Sequence, residues 1–87
     1  MIVKKYEIVN EQGLHMRPAG LVAGELGKFK CEVIINFNGN EINAKSIMNL
    51  MAACIKCGSK IEIVFNGEDE EKASEKFDEL YSNNFGD

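Results

Sequence analysis

The sequence predicts an α+β fold, an open-faced sandwich in which helices cover one face of a β-sheet. Two observations lead to this fold class. Segments that are rich in β-formers or that alternate apolar and polar residues indicate strands, while apolar residues that recur at helical spacing or follow a capping residue indicate helices. In chain order these segments run β-α-β-β-α-β-α, which lets the helices cover one face of an antiparallel or mixed sheet. A ferredoxin-like binding module would share this order, so the fold alone assigns no function.

The first strand and the first helix are separated by a short loop. The strand is predicted over residues 2–9, which are rich in β-formers, and a turn-like cluster follows at residues 10–13. A helix is predicted over Met16–Leu26, with Pro18 near its start, where proline is tolerated. Gly27 is expected to end this helix.

A β-hairpin and a short helix come next. The hairpin is predicted over residues 31–43, because Asn38-Gly39 is a pair favoured where both central turn residues need positive φ. Ser46 then precedes an apolar run, and its hydroxyl could accept a hydrogen bond from a free helix N–H. We therefore expect a short helix capped by Ser46.

The fourth strand and the last helix complete the fold. Apolar residues alternate from Ile61 to Phe65, before a second turn at Asn66-Gly67. Asp69 is expected to cap the last helix, whose acidic first turn suits the helix dipole. The apolar stripe of this helix is formed by Ala73, Phe77, Leu80 and Tyr81.

Length, charge and cysteine content limit the function classes. A chain of 87 residues is expected to form one domain over residues 1–87. The net charge of −4 and the absence of a basic run argue against nucleic-acid binding. No apolar stretch approaches the roughly 20 residues of a membrane span, and the charged start is unlike a secretory signal. We expect a cytoplasmic protein without membrane insertion, with its three cysteines reduced.

The chain's only histidine, arginine and proline, His15, Arg17 and Pro18, lie within four residues. At the start of a helix, His15 would lie beside unpaired N–H groups that attract anions and favour the neutral imidazole. A neutral ring nitrogen can attack phosphorus, and the N–H groups and Arg17 could then hold the phosphoryl oxygens. Met16 and Pro18 would belong to the same phosphate-stabilising loop. The alternative is that His15 and Arg17 are ordinary surface residues.

The segment GLHMRPA at residues 13–19 resembles the active-site signature of the histidine-containing phosphocarrier family HPr. Asn38-Gly39, residues 44–48 and the acidic last helix also match the family pattern, so the resemblance covers nearly the whole chain. It implies four antiparallel strands covered on one face by three helices. It also implies a phosphoryl carrier of the phosphoenolpyruvate:sugar phosphotransferase system, without enzymatic activity, cofactor or metal. Enzyme I would phosphorylate Nδ1 of His15, and the group would pass to IIA domains of sugar permeases.

A regulatory role for Ser46 is implied by the same resemblance. Residues 45–48 resemble a segment of Gram-positive HPr whose serine is modified by HPr kinase/phosphorylase. The modified form would partner a catabolite-control transcription factor, and its charge would repel an acidic enzyme I surface. The alternative is a regulatory HPr-like protein that acts mainly through Ser46, against which the presence of His15 and Arg17 argues.

An apolar docking surface is expected near His15. Flexible thioethers suit surfaces that meet several partners, whereas Leu50 is expected in the core. The predicted docking residues are Met16, Gly20, Ile47, Met48 and Met51. Met16, Gly20, Asn49 and Cys54 depart from the usual family residues, which puts partner preference in question. We expect the chain to act as a monomer.

Cys54 and Cys57 have CxxC spacing, which raises the alternative of a redox or zinc-binding module. Tetrahedral zinc needs four ligands, and only Cys31 and His15 remain to complete such a set. A reactive thiolate of the thioredoxin kind also needs a helix N-terminus, whereas these cysteines follow a short helix. The pair is therefore weak evidence for either chemistry.

Overall fold

A computed structural model describes residues 1–86, with strands and helices in the predicted order. The elements are β1 (Ile2–Glu7), α1 (Met16–Leu26), β2 (Glu32–Phe37), β3 (Asn40–Asn43), α2 (Ile47–Ala52), β4 (Lys60–Asn66) and α3 (Glu70–Ser82), followed by a 3₁₀ turn at Asn84–Gly86. The longest helix, α3, has 13 residues. No helix within residues 1–86 has both the length and the apolar character needed to cross a bilayer.

The four strands form one sheet in the order β1-β4-β2-β3, and every neighbouring pair is antiparallel. The sheet therefore lacks the parallel pair that a split βαβ unit of the ferredoxin-like kind would contain. Strands β1 and β3 are the edges, and β4 and β2 are central. The predicted fold class, a four-stranded antiparallel sheet with three helices, is confirmed.

The core lies between the sheet and the helices. Alternate residues of β4, Ile61, Ile63 and Phe65, are almost fully buried, as expected for a strand with one covered face. The stripe predicted on α3 is confirmed, because Ala73, Phe77 and Leu80 are buried and Tyr81 is half-buried. The ring centroid of Phe77 lies 5.6 Å from that of Phe85, so the terminal 3₁₀ turn joins the same core.

The turn at residues 38–39 follows the prediction closely. Asn38 has φ of 52° and Gly39 has φ of 79°, so both central residues adopt the left-handed conformation of a type I′ turn. Strand β1, in contrast, ends two residues earlier than predicted. The N–H of Ile8 donates to the carbonyl of Ser59 at 2.8 Å, and the carbonyl of Ile8 accepts from Gly58 at 2.7 Å. The end of the predicted strand is thus bonded to a loop.

Asp69 occupies the N-cap position of α3 as predicted, but its side chain does not cap the helix. Its carboxylate accepts the N–H groups of Lys30 at 2.9 Å and Cys31 at 2.8 Å, at the start of β2. These bonds lower the pKa of Asp69, since they stabilise the charged form. The prediction of a side-chain cap was wrong because N–H groups distant in sequence compete for the same carboxylate.

Candidate functional site

His15 lies at the N-cap of α1, where the sequence predicted it. Its backbone is extended, and its carbonyl accepts the N–H of Ala19 at 3.0 Å, which is the first bond of the helix. Met16 and Arg17 therefore carry N–H groups that the helix itself cannot pair. Pro18 follows in the same turn, is buried and has no N–H. The half-buried imidazole stands at the positive end of the α1 dipole.

Gly13 fixes the loop that holds His15 in this position. The next residue, Leu14, is buried and donates its N–H to the carbonyl of Ile55 at 2.9 Å. Gly13 has φ of 67°, and a Cβ at this position would lie 2.7 Å from Cα of Lys56 and closer still to the carbonyl oxygen of Ile55. Only glycine fits this contact without a shift of backbone.

Arg17 is exposed in the first turn of α1. Within residues 1–86 its guanidinium forms no hydrogen bond or ion pair. A guanidinium without internal bonds can turn toward an incoming phosphoryl group without breaking any existing contact. Its planar fork matches the geometry of phosphate oxygens.

Ser46 caps α2, as predicted. Its Oγ accepts the N–H of Asn49 at 3.2 Å, and its backbone is extended. The preceding Lys45 donates its Nζ to the carbonyl oxygen of Phe29 at 2.6 Å, which ties the start of α2 to the loop after α1. The hydroxyl of Ser46 is thus part of a fixed helix start, while its regulatory modification stays a prediction.

The predicted docking residues lie on helices α1 and α2. We call this set the α1–α2 surface, made of Met16, Gly20, Ile47, Met48 and Met51. Its exposed fractions are 64% for Met16, 39% for Ile47, 78% for Met48 and 40% for Met51. A Cβ on Gly20 would lie 3.4 Å from Cδ1 of Ile47, so Gly20 lies at the seam of the two helices. Leu50 is fully buried, as predicted. The exposure of the four apolar side chains is confirmed, while their docking role stays a prediction.

Two shallow grooves beside His15 contain residues that sequence reasoning missed. One, of about 190 Å³, is lined by Gln12, Leu14, His15, Met16, Met51, Cys54, Ile55 and Lys56. The other is lined by residues 9–12, His15 and Asn84, whose carbonyl accepts from Nδ2 of Asn10 at 2.7 Å. Leu14 and Ile55, which are joined by a backbone hydrogen bond, both line the first groove, and no local sequence pattern signals a contact between segments so far apart.

The cysteines do not come together as the zinc alternative requires. Cys31 is buried, and Cys54 and Cys57 are exposed. Sγ of Cys57 lies 3.8 Å from the carbonyl oxygen of Val9, outside the groove that Cys54 lines. Among residues 1–86, no three side chains of the histidine, cysteine and carboxylate types are grouped to hold a metal ion. The described geometry thus offers no support for a zinc module.

The fold and the relatives of this chain together define a class of protein, the small phosphoryl carriers, which are not themselves enzymes. The family model for the "PTS HPr component phosphorylation site" matches residues 2–83. The chain belongs to the HPr family, the phosphocarriers of the phosphotransferase system. Proteins of that system, such as enzyme I and IIA domains, are the partners that this family implies.

Individual relatives support this assignment. The chain is 36% identical to phosphocarrier protein HPr of Treponema pallidum over 85 residues, covering 98% of this chain and 97% of the relative. It is 38% identical to HPr-like protein Crh of Bacillus subtilis over 76 residues, covering 87% and 89% respectively. A solved HPr structure from Thermoanaerobacter tengcongensis superposes with a TM-score of 0.94 at 33% identity, covering 100% of this chain and 98% of that one. The relatives thus include both phosphocarriers and a Crh protein.

Proposed function

We propose that this chain carries a phosphoryl group on Nδ1 of His15, taking it from enzyme I and passing it to IIA domains of sugar permeases. The observation that supports this most is the position of His15 at the N-cap of α1, beside N–H groups that the helix cannot pair. A carrier must hold the group without burying it, because two partners must reach it in turn. A half-buried imidazole on a loop clamped by Gly13 meets that need.

The transfer requires a nucleophile and a site for negative charge. The lone pair of Nδ1 forms the N–P bond while the bond between phosphorus and the phosphorylated donor breaks. The phosphoryl oxygens then accept bonds from the N–H groups of Met16 and Arg17 and from the Arg17 guanidinium. Charge-assisted bonds of this kind contribute about 1.5–3 kcal/mol each, enough to orient the group without trapping it.

Docking of both partners is assigned to the α1–α2 surface. Its four exposed apolar side chains adjoin His15 or the start of α2. Thioethers adapt to partners of different shape, since methionine has three rotatable bonds and a polarizable sulfur. This property suits a carrier that meets a donor and several acceptors through one face.

Ser46 extends the proposal to regulation by HPr kinase/phosphorylase and a catabolite-control transcription factor. The hydroxyl is half-buried at the start of α2, next to Ile47 and Met48. A phosphate there would add a charge of about −1.5 to −2 at the edge of the α1–α2 surface. An acidic partner would then bind more weakly, and His15 would be phosphorylated more slowly.

A second candidate function is regulation through Ser46 alone, favoured by the 38% identity to a Crh protein. The two candidates make opposite predictions for labelling by enzyme I. The experiment is incubation with enzyme I and phosphoenolpyruvate, followed by intact mass and acid stability of the product. We expect one acid-labile phosphoryl group, which is absent in His15→Ala and retained in Ser46→Ala. No labelling, beside a labelled HPr control, would contradict the carrier function and leave Ser46 regulation.

We also propose that the chain acts as a monomer, although a solved HPr from Thermoanaerobacter tengcongensis is described as a dimer. His15 and Arg17, the residues proposed to carry and hold the phosphoryl group, are two positions apart at the start of α1, so a second copy of the chain is not needed to complete the pair. Light scattering is expected to give the mass of one chain before and after labelling. A dimer that alone accepts the phosphoryl group would contradict this.

A further inference from the structure

Three sulfur-bearing side chains, Met16, Met51 and Cys54, line the groove beside His15. All three are exposed, while the apolar residues Leu14 and Ile55, each 3% exposed, lie beneath them. We call this set of three side chains the sulfur rim. The docking role proposed for Met16 and Met51 does not explain why the thiol of Cys54 lies in the same groove.

The chemistry of the sulfur rim selects one class of ligand. Thiolate and thioether sulfurs are soft donors, which bind Cu(I) in preference to hard cations such as Mg²⁺. No three histidine, cysteine and carboxylate side chains meet within the described part of the chain, so a borderline ion such as zinc lacks its usual donors. Methionine has enough rotatable bonds to turn its sulfur toward a shared ion.

Charge favours a monovalent ion. The groove is lined by Lys56 and by no carboxylate, so an added divalent charge would meet repulsion without compensation. A cysteine loses its thiol proton to solvent when it ligates a metal. Exchange of that proton for a monovalent cation leaves the charge of the groove unchanged.

We propose that Met16, Met51 and Cys54 bind one soft monovalent cation of the Cu(I) class. The three sulfurs supply the ligands, and the Cys54 thiol releases its proton to water as the metal–sulfur bond forms. Cys57 is not a ligand, because it does not line the groove. An ion in this place lies beside His15 and occupies the space that a partner's phosphoryl donor would enter. The bound ion would therefore slow phosphorylation of His15, and we call this effect the regulatory consequence. It rests on the proposed carrier function, whereas the metal site does not.

The experiment uses Ag(I), which is soft, monovalent and not readily oxidised. Reduced protein labelled with ¹³C at the methionine methyl groups is titrated with silver nitrate in chloride-free buffer, and stoichiometry is read by native mass spectrometry. We expect one ion per chain. The Met16 and Met51 methyl signals should shift, while Met1 and Met48, which are exposed but do not line the groove, serve as internal controls.

Two variants distinguish binding by the sulfur rim from chelation by Cys54 and Cys57 alone. Cys54→Gly removes the thiol at a position with φ of 53°, where glycine is well tolerated, so the fold is preserved. It should weaken silver binding by at least about tenfold, since even indirect changes at metal sites commonly cost that much. Cys57→Ser should leave binding unchanged. Unshifted Met16 and Met51 signals, or loss of binding in Cys57→Ser, would overturn the proposal.

The regulatory consequence is tested on the same samples after excess silver has been removed. Labelling of His15 by enzyme I should be slower in the silver-loaded protein than in the untreated protein, whereas the same silver treatment should leave the labelling rate of Cys54→Gly at the value of untreated Cys54→Gly. Full labelling of the loaded protein would overturn the regulatory consequence. Absence of labelling in metal-free protein would contradict the carrier function, while the silver titration would still decide the metal site.

Discussion

Gly13→Ala is the substitution whose effect follows most directly from the geometry of the site. The added Cβ would lie 2.7 Å from Cα of Lys56 and closer to the carbonyl of Ile55, and both atoms belong to the backbone. Overpacking against groups that cannot turn away costs about 1–3 kcal/mol. The φ of 67° adds about 1–2 kcal/mol for any residue with a Cβ. We expect a total loss of about 2–5 kcal/mol in the free energy of unfolding.

Gly39→Ala is the matched control. Gly39 has φ of 79°, but a Cβ there would meet no atom within 4 Å. This variant carries the conformational cost alone, so urea unfolding of the two variants isolates the steric part, about 1–3 kcal/mol. Labelling of His15 should also slow in Gly13→Ala, because its loop is displaced from Ile55. Equal destabilisation by the two substitutions would refute the clamping role of Gly13.

Three further substitutions test other contacts. Cys54→Gly should raise the free energy of unfolding by about 1 kcal/mol, measured in urea, because it relieves φ of 53°. Burial raises the pKa of Asp78, but hydrogen bonds from Lys4 and Tyr6 outweigh it and lower the pKa overall. The carboxylate of Asp78 therefore stabilises the fold at pH values above its unfolded pKa, and this stabilisation is lost as the pH falls through its folded pKa. In Asp78→Asn, the free energy of unfolding, measured in urea at a series of pH values, should therefore decrease less steeply as the pH is lowered. Arg17→Ala should slow phosphorylation of His15 by about 10–100-fold, the equivalent of one charge-assisted bond, without changing the urea midpoint.

Local signals predicted most of the fold. The bounds of α1 match the prediction at both ends, because apolar spacing, Pro18 and Gly27 all mark the same segment. The turn at residues 38–39 and the cap at Ser46 were also predicted, since each depends on the chemistry of one or two residues. Strand order needed the structure, because the pairing of β4 with both β1 and β2 is a long-range choice.

The errors and omissions have a common physical cause. The carboxylate of Asp69 bonds to N–H groups 38 and 39 residues away in the sequence. Cys54 lines the groove beside His15 and precedes Ile55, whose bond with Leu14 joins segments about as distant. Propensity and spacing describe neighbours along the chain. They therefore predicted His15, its helix and the nearby methionines, but not Gln12, Cys54 and Lys56, which the fold also brings beside it.

The most direct test of a carrier is whether it gives up the group that it accepts. Purified protein phosphorylated on His15, and freed of enzyme I and phosphoenolpyruvate, is mixed with a IIA domain, and both intact masses are followed with time. We predict that each phosphoryl group lost from this chain appears on the IIA domain, leaving a chain that enzyme I can label again. A phosphoryl group that stays on His15, or is lost only to water, would contradict the carrier function.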